Sequence, residues 1–381
     1  MLNIGWIDFS KKDRDMVMSV LKQLTEPGAL DELGIGTIRD GFSDLLFPGT
    51  STIQTRAKYF FIVSYICMEL ERNPKLTPRD FIEHLNDNEI RLIKPLVEKS
   101  GRGAGVIGED AGERLQRKPS SIYWNALRKY GFFTEQATLS EYAALFCSMR
   151  NDSLRRKNDD DDADAAMRPP SFWRVQLPAS DWRDKLKMNL LPEEAQELRS
   201  KIVSTPIVQD SLMALILREN RYDFIEYEEF AEIDALRGLM PDELAHIYTL
   251  ARDFSRFVYG AQVRYNVIYS DGDNKTANDL WVEYSEKMPD VDLDAVYHLM
   301  KPRTDVRRFL TQFASVRHDT QKLDKLIIER ERNLKKARAK LSNKEIYPYI
   351  GQNVNMRPLI YRMNIAQRII GDIFKGEVAD A

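Results

Sequence analysis

The 381-residue chain predicts a mainly α, multi-helical protein. Three observations carry that expectation. A hydroxyl side chain stands directly before a proline at Thr77-Pro78 and Thr205-Pro206, the order that caps a helix and then fills its first turn. Apolar residues recur at three- and four-residue steps over long stretches, as one face of a helix requires. Segments with the two-residue alternation of a half-buried strand are few and short, RVQL, YDFIEY and VRYNVIYS being the best candidates.

Taken in order, the first informative stretch is FPGTSTIQTRAKYFF, residues 47–61. Pro48-Gly49 is a turn, and Thr50, Ser51 or Thr52 is placed to cap a following helix whose buried stripe would be Ile53, Ala57, Phe60, Ser64 and Cys67. Arg56 lies beside that stripe and has two readings. With Thr50, Ser51, Thr52 and the free amides of a helix start it makes an anion site. Alternatively it pairs with Asp40 or Asp44 of TIRDGFSDLLF, the more usual arrangement for an arginine at the edge of a core.

Residues 77–133 read as three helices with short joints: TPRDFIEHLNDNEIRLIKPLVEKS, GEDAGERLQ and SSIYWNALRKYG, the last stopped by Gly131 before Phe132 and Phe133. This is the outline of a helix-turn-helix of winged-helix type. Ile122, Tyr123 or Trp124, and Leu127 would face inward. Lys118, Ser120, Ser121, Asn125, Arg128 and Lys129 would face out, the charged ones toward phosphates and Ser120 and Asn125 toward base edges.

Thr138 and Glu141 form a capping box before YAALFCSM. Ser153 to Ser171, with its acidic run and two prolines, reads as a linker or exposed loop. It divides a helical domain 1–152, containing the 77–133 module, from a helical domain 172–381. Within the second domain Thr205-Pro206 and Pro241 each open a helix, and SDGDNKT, 270–276, connects two helical segments. From Val316 to Leu341 a narrow seam of Val316, Thr320, Leu323, Ile327, Arg330, Leu334, Ala337 and Leu341 predicts one long amphipathic helix near the C-terminus. Its other faces carry Lys335, Lys336 and Arg338 among further cations, a basic surface suited to phosphates.

Composition bounds the function classes. With 43% hydrophobic and 30% charged residues and a net charge of -3, bulk attraction to nucleic acid or to an anionic membrane is excluded, so any basic surface is local. The longest apolar run, Tyr59 to Met68, is about half of the ~20 residues that span a bilayer, and the opening residues lack a signal pattern. Cys67 and Cys147 read as reduced core residues. A cytoplasmic protein without membrane contact is expected.

The apparent chemical motifs fail on context. Gly103-Ala104-Gly105-Val106-Ile107-Gly108 has the letters of the dinucleotide fingerprint but neither the preceding strand nor the later acidic residue, and reads as a flexible connector. His298, Lys301 and Asp305 have the letters of a phospholipase-D signature at the wrong spacing. Arg317-His318-Asp319 has those of a kinase loop in the wrong order. The four histidines are not at metal-ligand spacing. No cofactor and no metal is expected.

The segments GWIDFS, DELGIGTIRDGFSDLLFPGTSTIQTRAKYFF, RKPSSIYWNALRKYGFF and RMNIAQRIIGDIFKG resemble a bacterial family catalogued as domain of unknown function 6361, along the whole chain. That family brings no catalytic residues to carry over. The resemblance implies company with helicase-like and phospholipase-D-like proteins of bacterial defence islands. The leading expectation is a non-catalytic, nucleic-acid-associated or scaffolding subunit of a multi-protein system, in anti-phage defence. Its alternatives are a protein-interaction subunit without DNA contact and a metal-dependent nuclease with scattered carboxylates.

Overall fold

The computed structural model describes residues 31–73, 75–159 and 172–379, with the backbone alone over 151–159. The described residues are mainly helical. Thirteen α-helices follow one another: α1 Gly36–Leu46, α2 Tyr59–Glu71, α3 Pro78–Ser100, α4 Pro119–Lys129, α5 Leu139–Asp159, α6 Pro192–Ser204, α7 Leu212–Arg218, α8 Asp242–Tyr269, α9 Lys275–Glu286, α10 Leu293–Met300, α11 Thr304–Val316, α12 Thr320–Lys335 and α13 Met363–Glu377. The β structure among these residues is one isolated antiparallel bridge, Phe133 to Trp173. Of the three strand candidates, RVQL is irregular backbone, YDFIEY is a 3-10 turn at Tyr222–Glu226, and VRYNVIYS lies inside α8.

The chain forms two compact units, each built from separated stretches: residues 1–42 with 249–359, and residues 43–248 with 360–381. The successive blocks 1–152 and 172–381 do not coincide with them. Residues 153–159 of the expected linker continue α5, and 160–171 lie outside the described residues, as does the GWIDFS segment.

In the unit of residues 43–248 and 360–381, α2 is buried on nearly every side. Phe60 meets Tyr123 edge-on at 5.1 Å and stacks on Phe132 at 5.8 Å. A second aromatic group gathers Trp124, Phe133, Tyr142 and Trp173. The last helix, α13, packs on α6 closely enough that a Cβ on Gly376 would lie 2.8 Å from that of Ala195. Several starts follow local chemistry. Thr77 caps α3 reciprocally with Asp80, with Pro78 in the first turn. Thr138 accepts from the Glu141 amide at 3.3 Å while Glu141 accepts from the Thr138 amide at 2.7 Å, the capping box of α5. Thr205-Pro206 does not open a helix: turns occupy 205–211, and Ser211 caps α7.

In the unit of residues 1–42 and 249–359, Phe257 meets Phe313 edge-on at 4.9 Å and Phe42 lies 5.9 Å from Phe254. The single helix expected from Val316 to Leu341 is two helices and a turn. α11 ends at Val316, and Asp319 then caps α12 through the Lys322 amide at 3.1 Å. α12 ends at Lys335 because the buried Glu331 carboxylate turns the chain back. It accepts from the amides of Lys340 and Leu341, each at 2.9 Å, and from the Tyr265 hydroxyl at 2.7 Å. Arg330, placed on the seam as an interruption, is buried too: it donates to the Leu33 carbonyl at 2.8 Å, pairs with Asp305 at 3.1 Å and lies over the Phe309 ring.

Replacing Glu331 by alanine leaves three buried donors unpaired. The expected loss is on the order of 3 kcal/mol, read as a lower urea midpoint, and Glu331→Gln, which keeps an acceptor, loses less. An alanine variant as stable as the parent would refute this role for Glu331.

Candidate functional site

The structure assigns Arg56 to the fold. Residues 47–58 close on themselves before α2 begins: the Phe47 carbonyl accepts the Thr50 hydroxyl at 2.6 Å, and Gln54 accepts from the Ser51 amide and donates to the Gly49 carbonyl, both at 3.0 Å. Thr50, Ser51 and Thr52 therefore do not cap α2, which starts at Tyr59. Ile53, expected in the buried stripe, is 39% exposed, while Ala57, Phe60, Ser64 and Cys67 are buried as expected. Arg56 directs Nε to both oxygens of Asp372 at 2.9 Å, one terminal nitrogen to the Ala104 carbonyl at 2.7 Å and the other to Asn189 at 3.1 Å. Asp372 also accepts from the Ala57 amide at 2.8 Å. The partner is thus a carboxylate of α13. Asp44 instead pairs with Arg362 at 2.9 Å and Asp40 with Arg39 at 3.1 Å.

The glycine-rich stretch serves the same pair. Gly105 has φ +86°, its carbonyl accepts the Thr55 hydroxyl at 2.7 Å, and a Cβ there would lie 2.8 Å from the Arg56 side chain. The Tyr59 hydroxyl accepts from the Ile107 amide at 2.8 Å. Instead of a flexible connector, this is a packed turn that lets backbone approach Arg56. Tyr123 completes the network by accepting from the Thr55 and Arg56 amides and donating to the Arg56 carbonyl at 2.8 Å. Burial raises the Tyr123 phenol above its ordinary pKa, which keeps it a neutral donor.

In the 77–133 module α3 and α4 form, but the expected middle helix is a series of turns with one 3-10 turn, Gly112–Arg114. Positive φ at Gly108 and Gly112, inside that segment, interrupts a helical backbone. The inward residues of α4 are buried as expected. The outward set divides. Ser120 is 1% exposed and gives both its amide, at 2.5 Å, and its hydroxyl, at 2.9 Å, to Glu89. The ammonium of Lys118 bonds the Leu115 carbonyl, and Lys129 lies 3.9 Å from Asp44. Arg128 is half-buried and reaches Asn125 at 3.4 Å. Ser121 and Asn125 are exposed. In the late segment Lys335 pairs with Glu32 at 3.6 Å, and Lys336 and Arg338 are exposed on a 3-10 turn beyond the end of α12.

A different surface carries exposed cations. From His298 through Arg308 the chain carries four Lys or Arg and one Asp. That Asp, Asp305, is held by Arg330 and Arg303, whereas Lys301, Arg307 and Arg308 are exposed. Arg307 lies 5.0 Å from the centre of the Tyr297 ring, and the Tyr297 hydroxyl is 3.0 Å from that of Thr311. Asp294, Tyr297 and His298 of α10 and Arg307 and Thr311 of α11 line a groove of about 370 Å³. Sequence reasoning passed over this stretch as a failed phospholipase-D motif; its local basic excess was the available signal. Among the described residues no three His, Cys, Asp or Glu side chains group as metal ligands, and no helix is long and apolar enough to cross a membrane.

Two predictions follow from the buried carboxylates. Arg56→Ala strands Asp372, which is only 7% exposed, and is expected to cost about 3 kcal/mol in denaturant unfolding; full stability with loss of anion binding alone would restore the anion reading. Burial raises the Glu89 carboxyl from 4.5 to about 8 against the lowering effect of the Ser120 donors. The folded state then holds a proton that the unfolded state releases, so this contribution is complete below pH 4.5 and is lost as pH rises through about 8. Glu89→Gln should flatten the fall in melting temperature across that window, and an unchanged slope would count against the assignment.

A family model described as a family of unknown function matches residues 1–341. The match stops short of the RMNIAQRIIGDIFKG segment, so the resemblance is shown over most of the chain and not over its end. Neither the curated proteins nor the solved structures contain a match to it. The chain belongs to this family of unknown function, DUF6361.

Proposed function

We propose that the chain is a non-catalytic, nucleic-acid-associated subunit of a bacterial multi-protein system. The observation that supports this reading best is the exposed basic surface of α10 and α11, where Lys301, Arg307 and Arg308 stand in a chain whose net charge is -3. In a chain without bulk positive charge, such a cluster is the footprint that phosphate contact requires. A smaller basic surface, the exposed Arg114 and Arg117 ahead of α4 with Ser121 and Asn125 on it, adds a second place of contact. The implied company of helicase-like and phospholipase-D-like proteins supports a role in antiviral defence inside the cytoplasm.

A second reading, docking of partner proteins without DNA contact, is favoured by Ile346 and Ile350, 69% and 71% exposed in one irregular segment. Apolar side chains left this open are candidates for burial by a partner.

The two readings separate on salt. The purified chain is expected to bind labelled duplex DNA at low salt, with log affinity falling against log salt at a slope of roughly -3 for three to four neutralised phosphates. No binding even at low salt would end the nucleic-acid reading. Stoichiometric partners that survive nuclease and high salt would favour the second.

A further inference from the structure

We propose that α10, the turn Lys301–Arg303 and α11 act as a helix-turn-helix whose second helix lies in the major groove of duplex DNA. This rests on the nucleic-acid reading above and names the surface that makes the contact. The local chain has the element lengths and the short turn of a helix-turn-helix. An eight-residue helix ends at Met300 and is capped by Lys301, whose backbone is left-handed at φ 46° and ψ 52°, and α11 begins at Thr304, after Pro302. The apolar face of α11, Val306, Phe309, Leu310 and Phe313, is buried. What remains outside is one polar stripe of Thr304, Arg307, Arg308, Thr311, Gln312 and Ser315.

That stripe carries the chemistry of base readout; the one carboxylate at its edge, Asp305, is 44% exposed at its side chain and is engaged by Arg303 and Arg330. Arginine donates two bonds to guanine, glutamine pairs with the adenine edge, and threonine offers a hydroxyl and a methyl. Thirteen residues make a rod about 20 Å long, which the ~12 Å wide major groove admits. The packing of Arg307 on the Tyr297 ring and the Tyr297 bond to Thr311 hold two of these side chains in place before binding. On the flanks, Lys301 and His298 are exposed on one side and Lys325 of α12 on the other, each suited to a phosphate. Asp294 on the α10 wall of the groove and the exposed Glu329 beside Lys325 on α12 oppose them and temper affinity.

The stripe also discriminates among nucleic acids. It contains no aromatic side chain on which an unpaired base would stack, and the major groove of A-form RNA is too narrow for a helix. Duplex DNA is the form it fits.

The test uses the full chain and a labelled random-sequence duplex of about 25 base pairs in anisotropy titrations over a salt series, with thermal unfolding as a check on the fold. Arg307 and Arg308 are exposed, so R307A/R308A is expected to melt like the parent and to bind about tenfold or more weakly, whereas K301A/K325A, which removes two phosphate contacts, should lose about two from the salt slope. R114A/R117A, in the other unit, should bind within about twofold of the parent if α11 is the principal contact. D294N should bind more tightly. In a selection from random duplexes, Q312A should relax the sequence preference at one position. If the parent binds duplex and R307A/R308A binds equally well, this proposal fails while the nucleic-acid reading stands. If the parent binds no DNA at low salt, both fail. If the parent prefers single strands or RNA over duplex, the groove assignment is overturned.

Discussion

Asp372 carries two loads at once, a guanidinium and a backbone amide, and the unit of residues 43–248 and 360–381 is arranged around that carboxylate. A helical chain satisfies its own backbone inside each helix and nowhere else, and the turns between helices are left with unpaired N–H groups. With a single bridge as its β structure among the described residues, this protein meets the shortage with buried acids. Asp372 takes the Ala57 amide, Glu89 the Ser120 amide, and Glu331 the amides of Lys340 and Leu341. Each acid is desolvated, and each is held by donors that reach it from a distant turn. A buried carboxylate without them would be expensive, so position and partner are specified together.

The same device explains which parts of the fold were legible in the sequence. The capping boxes at Thr77 and Thr138 and the stop at Gly131 involve residues three or four positions apart, and they stand where local patterning places them. The partner of Arg56 lies 316 positions away, and periodicity says nothing about which acid closes such a pair. Asp40 and Asp44 were attractive only because they were near in the chain. The break after Lys335 was equally hidden. Apolar spacing continues smoothly to Leu341, while the end of the helix is decided by a glutamate side chain nine and ten residues before the amides it accepts from.

The candidate surface shows a related limit. On α4 the sequence places serine, asparagine, arginine and lysine in a stripe that resembles a contact face, but polarity does not reveal whether a side chain is already engaged. Ser120 and Lys129 are spent on Glu89 and Asp44. On α11 the composition is much the same and the cations are exposed; of the nearby acids, Asp305 is occupied by Arg330 and Arg303, and Asp294 lines the groove with Arg307. The distinction lies in the pairing, which only coordinates disclose.

Pairing also shapes the field that a ligand meets. Arginines tied to carboxylates within about 3 Å present nearly no net charge beyond a Debye length of ~8 Å, so they add nothing to the attraction of a polyanion. In a chain of net charge -3 the long-range field is weak and slightly repulsive toward nucleic acid. The proposed contact therefore depends on exposed cations such as Lys301, Arg307 and Arg308. Such a surface acts only at short range, where the shape of a groove and the edges of bases are felt together with the charge of the phosphates. An overall basic protein would be drawn to any polyanion; a near-neutral one with a small basic stripe holds only those whose form brings several phosphates to that stripe at once.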